Sequence, residues 1–256
     1  MKTAIVDSHN EVLPYWVEEY IRLKLPLVVV RIDQHHDMNQ DCPALPAREG
    51  RQIFDYLAKI MPQVAEYAKS KLNEGNFTCP AFHYGIVGAL YHFNPRKKKI
   101  DAYGRVSGGD IIDAPKTTLI PNIIAGKRIN RIIWDEALTK LRFQGGKVIP
   151  KPQDLPFDSF KSDLEDGKFP VIICFDLDGI YGIGDKESIQ EVVGERLERV
   201  KSILDCISSP VLACIARSQT PRSYVPPELV DYLLHNVILL LQRGGFGIYN
   251  SDFQKN

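Results

Sequence analysis

The chain predicts an α/β fold: three layers, αβα, around a mainly parallel sheet, in a single domain over residues 1–256. Two apolar runs, Leu27 to Ile32 and the stretch over 170–175, have β-branched residues on both faces, as strands covered on both sides do. Between and after them lie segments with helical periodicity, over 10–22, 50–72 and 187–207. Strand, helix and strand within the first 32 residues make a βαβ unit, whose geometry brings both strand ends to one sheet edge. A chain of 256 residues is long enough to bury one large core.

Thr3 to Asp7 is the first strand. Ser8 or Asn10 then caps a helix whose apolar face is Val12, Leu13, Trp16, Val17, Tyr20 and Ile21. The second strand, broken only by Arg31, ends in Asp33-Gln34-His35-His36-Asp37. Alternation puts Asp33, His35 and Asp37 on one side if the chain stays extended, with Gln34 and His36 on the other. Residues 38–49 read as loop. The helix over 50–72 carries Pro62 as a kink. A helix from Cys79 to Ala89 and a strand from Leu90 to Phe93 follow, and Arg96 to Lys99 is expected as a solvated basic loop.

Thr118 to Ile124 and Arg131 to Trp134 are strand candidates, and Gly145 to Lys168 reads as loop. The run over 170–178 repeats the earlier pattern and ends in Asp176-Leu177-Asp178. A helix over 187–207, a strand from Pro210 to Ala216, a turn-rich loop over 217–227 and a helix from Pro227 to about Arg243 complete the chain.

Lysine plus arginine and aspartate plus glutamate balance at 32 each, so no basic excess points to nucleic acid. The five cysteines show no CxxC spacing and an odd count, as expected of reduced thiols. The apolar stretch Val237 to Leu241 is too short to cross a bilayer, and the first residues lack the pattern of a signal peptide. A soluble, cytoplasmic protein without a membrane or nucleic-acid partner is expected.

The strand tips carry the chemistry. His9, Asp33, His35, Asp37, Asp176 and Asp178 all fall at the ends of apolar strands or just beyond, on the edge where ligands bind in such sheets. Carboxylates crowded beside imidazoles are costly unless a cation sits among them. Six such ligands exceed what one zinc site takes and fit two ions with bridging carboxylates. Four carboxylates and two imidazoles without thiolate favour a hard ion such as Mn²⁺.

His9, then Asp33-x-His35-x-Asp37, then Asp176-x-Asp178 at strand ends resembles the ureohydrolase superfamily of arginase and agmatinase, over 3–37 and 170–245. The resemblance implies an arginase-like metal-dependent hydrolase domain. It assigns His9, Asp33, Asp37 and Asp176 to one manganese and Asp33, His35, Asp176 and Asp178 to the second, with Asp33 and Asp176 bridging. Presence of the full set is similar to the binuclear, guanidine-hydrolysing branch. The chain departs from that pattern in having Val6-Asp7-Ser8-His9 and Gly179-Ile180-Tyr181, and in lacking a glutamate after the strand that ends at Ala216. With His9-Asn-Glu-Val-Leu-Pro, Asp33-Gln-His-His-Asp-Met-Asn and Ser218-Gln-Thr-Pro, it looks like the short divergent peptide arginases. Those convert arginine side chains of ribosomal precursor peptides to ornithine, with release of urea.

On this reading two Mn²⁺ supply hydroxide, and Asp37 accepts and carries its proton. A cationic guanidinium also needs a carboxylate partner. Glu11 is the first candidate and Glu228 the second, each also explained as a first-turn helix acid. His83 or His92 is the candidate proton donor to the leaving amine. Arg217, Ser218 and Tyr224 are expected at the substrate mouth. The partner is an arginine-containing peptide, with or without a leader segment, and the family's habit allows a homo-oligomer. Rival readings are an agmatinase-like or other small-guanidine or amide metallohydrolase, and a non-catalytic metal-binding, peptide-recognition module.

Overall fold

The computed structural model describes residues 1–37, 42–43, 57–83, 86–98, 102–107, 140–141, 153–155, 157–165, 169–247 and 249–250. The strands are β1 (Lys2–Val6), β2 (Leu27–Ile32), β3 (Cys42–Pro43), β4 (Val87–Phe93), β5 (Ala102–Ser107), β6 (Lys140–Leu141), β7 (Gln153–Leu155), β8 (Val171–Asp176), β9 (Leu212–Ala216) and β10 (Tyr249–Asn250). The α-helices are α1 (Leu13–Leu23), α2 (Met61–Lys71), α3 (Thr78–His83), α4 (Phe157–Glu165), α5 (Ile189–Leu204) and α6 (Val230–Arg243).

An eight-stranded sheet in the order β10-β1-β9-β8-β2-β4-β5-β7 forms the middle layer among the described residues. Every pairing from β10 to β4 is parallel, and β5 and β7 add antiparallel pairings at one edge. The fold is therefore the expected three-layer α/β arrangement. On one face Trp16 and Val17 of α1 and Val64 and Tyr67 of α2 pack with Val6, Val29 and Cys174. On the other, Phe160 of α4, Val193 and Val200 of α5 and Leu233 and Val237 of α6 pack with Val30, Ile32, Phe175 and Ile215. The βαβ unit does bring the ends of β1 and β2 to one edge, but the two strands are not neighbours; β9 and β8 lie between them.

Several local expectations change. Pro62 does not kink a continuous helix. It occupies the first turn of α2, where its missing N–H costs nothing, and Ile60 is the N-cap. The helix expected from Cys79 to Ala89 spans Thr78–His83, and β4 begins at Val87 instead of Leu90. Part of the loop expected over 145–168 is β7 and α4. The Pro, Gly and Asp residues there obscure an apolar helical face, in which Phe160 packs edge-on against Phe93 at 4.8 Å. Arg96 is not a solvated loop residue: it hydrogen-bonds the Gln34 side chain and pairs with Asp185. The strands expected at Thr118 to Ile124 and Arg131 to Trp134 lie outside the described residues. Among the described residues no helix is long and apolar enough to cross a membrane.

Candidate metal centre

β1, β8 and β2 end along one edge of the sheet, with β9 between β1 and β8, and the polar residues at their tips meet there. After β1 the chain turns through a 3-10 segment, His9–Val12, which aims His9 back over the sheet. Its ring is buried against Phe77 at 4.8 Å. His9 Nδ1 lies 2.7 Å from Asp37 Oδ2, 3.2 Å from Asp33 Oδ2 and 3.5 Å from Asp176 Oδ2. The other ring nitrogen, Nε2, faces Cys174 Sγ at 3.1 Å.

Beyond β2 the chain does not stay extended. His35 N donates to Asp33 Oδ1 at 2.7 Å, closing a tight turn, and Asp37 adopts the left-handed region with φ 51°. The outcome nevertheless matches the alternation expected: Asp33, His35 and Asp37 face the centre, and His36 points away to stack on His92 at 4.7 Å. A turn with one left-handed residue brings Asp37 back beside Asp33. Aspartate is among the few residue types that tolerate that conformation.

After β8, Asp176 caps a 3-10 turn, Leu177–Gly179, with its carboxylate accepting from Asp178 N at 3.3 Å. The turn carries Asp178 Oδ2 to 2.9 Å from His35 Nδ1. Gly179 is required at the next position, because a Cβ there would lie 2.9 Å from Asp33 Cα. Behind the turn, Asp185 is held by both Arg196 and Arg96 and accepts from Gly182 N at 3.0 Å, which fixes the loop over 179–185.

Two ligand groups result. His9, Asp33 and Asp37 form one; Asp33, His35 and Asp178 form the other; within each group the ligand atoms lie within 4.8 Å of one another. Asp33 belongs to both. Its Oδ2 faces His9, and its Oδ1 lies 4.0 Å from His35 Nδ1. His9 Nδ1 and the Oδ2 atoms of Asp33, Asp37 and Asp178 are buried, yet none makes a hydrogen bond of acceptable geometry among the described residues. Buried polar atoms are seldom left so, and here four converge.

The charges are in tension. Burial, then the neighbouring Asp37, pushes the Asp33 carboxyl up to about 7. Burial, with Asp178 and Asp33 beside it, raises Asp176 well above the carboxylate range. Burial also opposes ionisation of Asp37, but His9 and Arg31 outweigh it and hold Asp37 below its ordinary value. Burial opposes the charged form of His9 too, and its polar neighbours Cys174, Asp33 and Asp37 outweigh that, so His9 is held well above the usual imidazole range. Asp178 raises His35. In a metal-free cluster, protons occupy part of the place a cation would take.

The other expected site residues divide. Tyr224 is at the centre, its ring 5.5 Å from that of His35. Ser218 is buried, with φ 60°, and its carbonyl accepts from Tyr224 N at 2.9 Å. Arg217 instead extends toward Asp7, with Nη1 3.4 Å from Oδ1. Glu11 is engaged in a capping box with Ser8: its Oε2 accepts from the backbone of Asp7 at 3.1 Å and Ser8 at 3.2 Å. Glu228 is exposed in the 3-10 turn before α6. His83 ends α3, and its side chain lies outside the described residues. His92 is fully buried in β4, and burial, followed by the nearby His36 and Arg31, lowers it well below the imidazole range.

Sequence reasoning missed three residues at this centre. The sequence marks Cys174 only as one of five reduced thiols, and Arg31 only as an interruption of an apolar run. Glu74 was not singled out. It lies in the turn just before Phe77, and Tyr224 Oη donates to its Oε1 at 3.3 Å while its Oε2 is buried without a hydrogen bond among the described residues. A lone Glu in Asn-Glu-Gly-Asn gives no local signal of this; only the fold brings it to Tyr224.

No protein-family model matches the chain, and no curated protein matches it.

Proposed function

We propose that the protein is a binuclear, manganese-dependent hydrolase of guanidinium groups, related to the ureohydrolases, that converts arginine residues of a peptide to ornithine and urea. The observation that carries this reading is the pair of overlapping ligand groups sharing Asp33, in which His9 lies 2.7 Å from the carboxylate of Asp37 and His35 lies 2.9 Å from that of Asp178. Two imidazoles and four carboxylates suit a hard divalent ion, and a shared carboxylate suits two. His9, Asp33, Asp37 and Asp176 would hold one ion, and Asp33, His35, Asp176 and Asp178 the other. Two such ions supply hydroxide at neutral pH.

The chain's own residues do the rest. Asp37, beside His9 and Asp33, accepts the proton released when water adds to the guanidinium carbon. The bond from that carbon to Nε then breaks, and the electron pair leaves with the nitrogen, which takes up the proton. The products are urea and ornithine, and one water is consumed. Glu74 supplies the carboxylate that a cationic guanidinium requires, through charge-assisted hydrogen bonds from its N–H groups. This role moves from Glu11, whose carboxylate is occupied in the helix cap. Tyr224 orients Glu74 and lies beside His35, linking the cation's partner to the metal ligands.

The test is mass spectrometry of an arginine-containing peptide incubated with the protein and Mn²⁺, alongside a urea assay. Loss of the amidino mass at arginine with matching urea supports the reading. Urea from free arginine or agmatine at a comparable rate would overturn peptide specificity. No guanidine hydrolysis from any of the three would overturn the reaction class.

A further inference from the structure

One sheet row beneath the metal ligands, Cys214, Cys174, Arg31 and His92 stand in register on adjacent strands β9, β8, β2 and β4. All four are fully buried. Arg31 and His92 set polar groups into what is otherwise an apolar layer that includes Val6, Val29, Leu90 and the two cysteines. Burying a guanidinium at the centre of a sheet is expensive unless its donors and charge are matched. The cost calls for a return, and the contacts of Arg31 show where it goes.

Arg31 Nη1 donates to the carbonyl of His36 at 2.6 Å, and Nη2 donates to Thr78 Oγ1 at 2.6 Å. The guanidinium lies 4.9 Å from the centroid of the Phe77 ring, the ring that also packs on His9. It is thus fixed from two sides, by α3 and by the turn that follows β2. What it fixes is the peptide immediately before Asp37, the residue whose backbone stands at φ 51°. His36, on the other side of that peptide, is stacked on His92 of the same row.

We propose that Arg31 is a positioning residue for one of the two metal positions: it holds the His36–Asp37 peptide so that Asp37 closes the ligand group with His9 and Asp33. The inference rests on the reading of the centre as a divalent-metal site. Arg31 reaches the carbonyl before Asp37, Thr78 and the Phe77 ring that packs on His9. The other group closes through His35 and Asp178, and its support comes from the turn after β8 and from Asp185. Arg31 therefore acts on one ion and leaves the second untouched, which general support of the fold would not do.

Mn²⁺ titration of the full chain tests this, with bound ions counted by equilibrium dialysis and free Mn²⁺ followed by its electron paramagnetic resonance signal. Supports of metal ligands are worth about 10–100-fold in affinity. Arg31→Met should weaken one ion by that factor and leave the other at wild-type affinity. Arg31→Lys keeps the charge but not the two-pronged geometry, and recovers only part of the loss. In an Asp178→Asn background, Arg31→Met should weaken the single ion that remains; in a His9→Ala background it should change nothing. Thr78→Val frees one arm of the guanidinium with little change in volume and should weaken the same ion, so the test survives if Arg31→Met does not fold. Equal weakening of both ions, or wild-type binding of both in Arg31→Met and Thr78→Val, would overturn the proposal. A wild-type chain that binds no Mn²⁺ would instead overturn the metal reading itself.

Discussion

Gly179 packs directly against the backbone of Asp33: a methyl group on Gly179 would stand 2.9 Å from Asp33 Cα and 3.0 Å from its nitrogen. The turn after β8 and the tip of β2 are thereby locked together, and the two ligand groups with them. Gly179→Ala must push the backbones apart. Overpacking of this kind costs about 1–3 kcal/mol. The expected outcome is a lower Tm and weaker binding of both metal ions, read by calorimetry and Mn²⁺ titration. Unchanged Tm and affinity would show that the contact is slack.

Asp33 is common to both ligand groups, whereas Asp37 and Asp178 belong to one each. Asp33→Ala should remove both ions, and Asp37→Ala and Asp178→Ala should each leave one. Metal content by mass spectrometry after gel filtration checks this. Retention of two ions in Asp33→Ala would mean that the site is drawn wrongly.

Cys174 Sγ lies against His9 Nε2, so on the proposed reading Nδ1, which faces Asp33 and Asp37, is the nitrogen left for the metal. Cys174→Val fills the space and removes the partner. It should weaken the ion bound by His9 about 10–100-fold while leaving the fold intact by circular dichroism. A fully retained affinity would reduce Cys174 to core packing.

Two glutamates separate by role. Glu11→Gln weakens a helix cap and should cost about 1 kcal/mol of stability with catalysis preserved. Glu74→Gln removes the charged partner of the substrate. Hydrogen bonds to charged groups are worth about 1.5–3 kcal/mol, so kcat/KM should fall roughly 10–100-fold with the Tm little changed. The reverse pattern would return the substrate role to Glu11.

The metal-free protein has a signed pH dependence. Asp33 is raised to about 7, and Asp176 and His9 are also raised. A group raised in the folded state gives stability that is present below its unfolded pKa and lost as pH rises through the folded value. Asp37 is lowered and acts in the opposite sense, but only as pH falls below the usual carboxylate range. Between pH 5 and 8 the raised groups dominate, so the Tm of protein stripped with chelator should fall by about 5–10 °C. Mn²⁺ should restore more stability at pH 8 than at pH 5. A Tm of stripped protein that rises over this window would contradict the assignment.

The fold and the clustering of the candidate ligands were legible because both rest on short-range rules. A buried parallel strand announces itself by β-branched residues on both faces, and charge at the end of such a run marks the sheet edge. That was enough to group His9, Asp33, His35, Asp37, Asp176 and Asp178. What escaped depends on contacts distant in sequence. Glu74 meets Tyr224 across 150 positions, and His9 meets Cys174 across 165. The role of Arg31 is set by α3 and by a turn, neither of which its own strand reveals. Local ambiguity accounts for the rest: Glu11 suited a cap or a cation, and only the folded turn resolved it into the cap. Pro62 reads as a kink in the sequence, and only the folded chain puts it in the first turn of α2.

Anomalous diffraction at the manganese edge, from crystals grown with Mn²⁺, tests the central claim most directly. Two peaks are predicted, both against Asp33, one flanked by His9 and Asp37 and the other by His35 and Asp178. A single peak, or none at the tips of β2 and β8, would contradict a binuclear centre and the hydrolysis proposed for it.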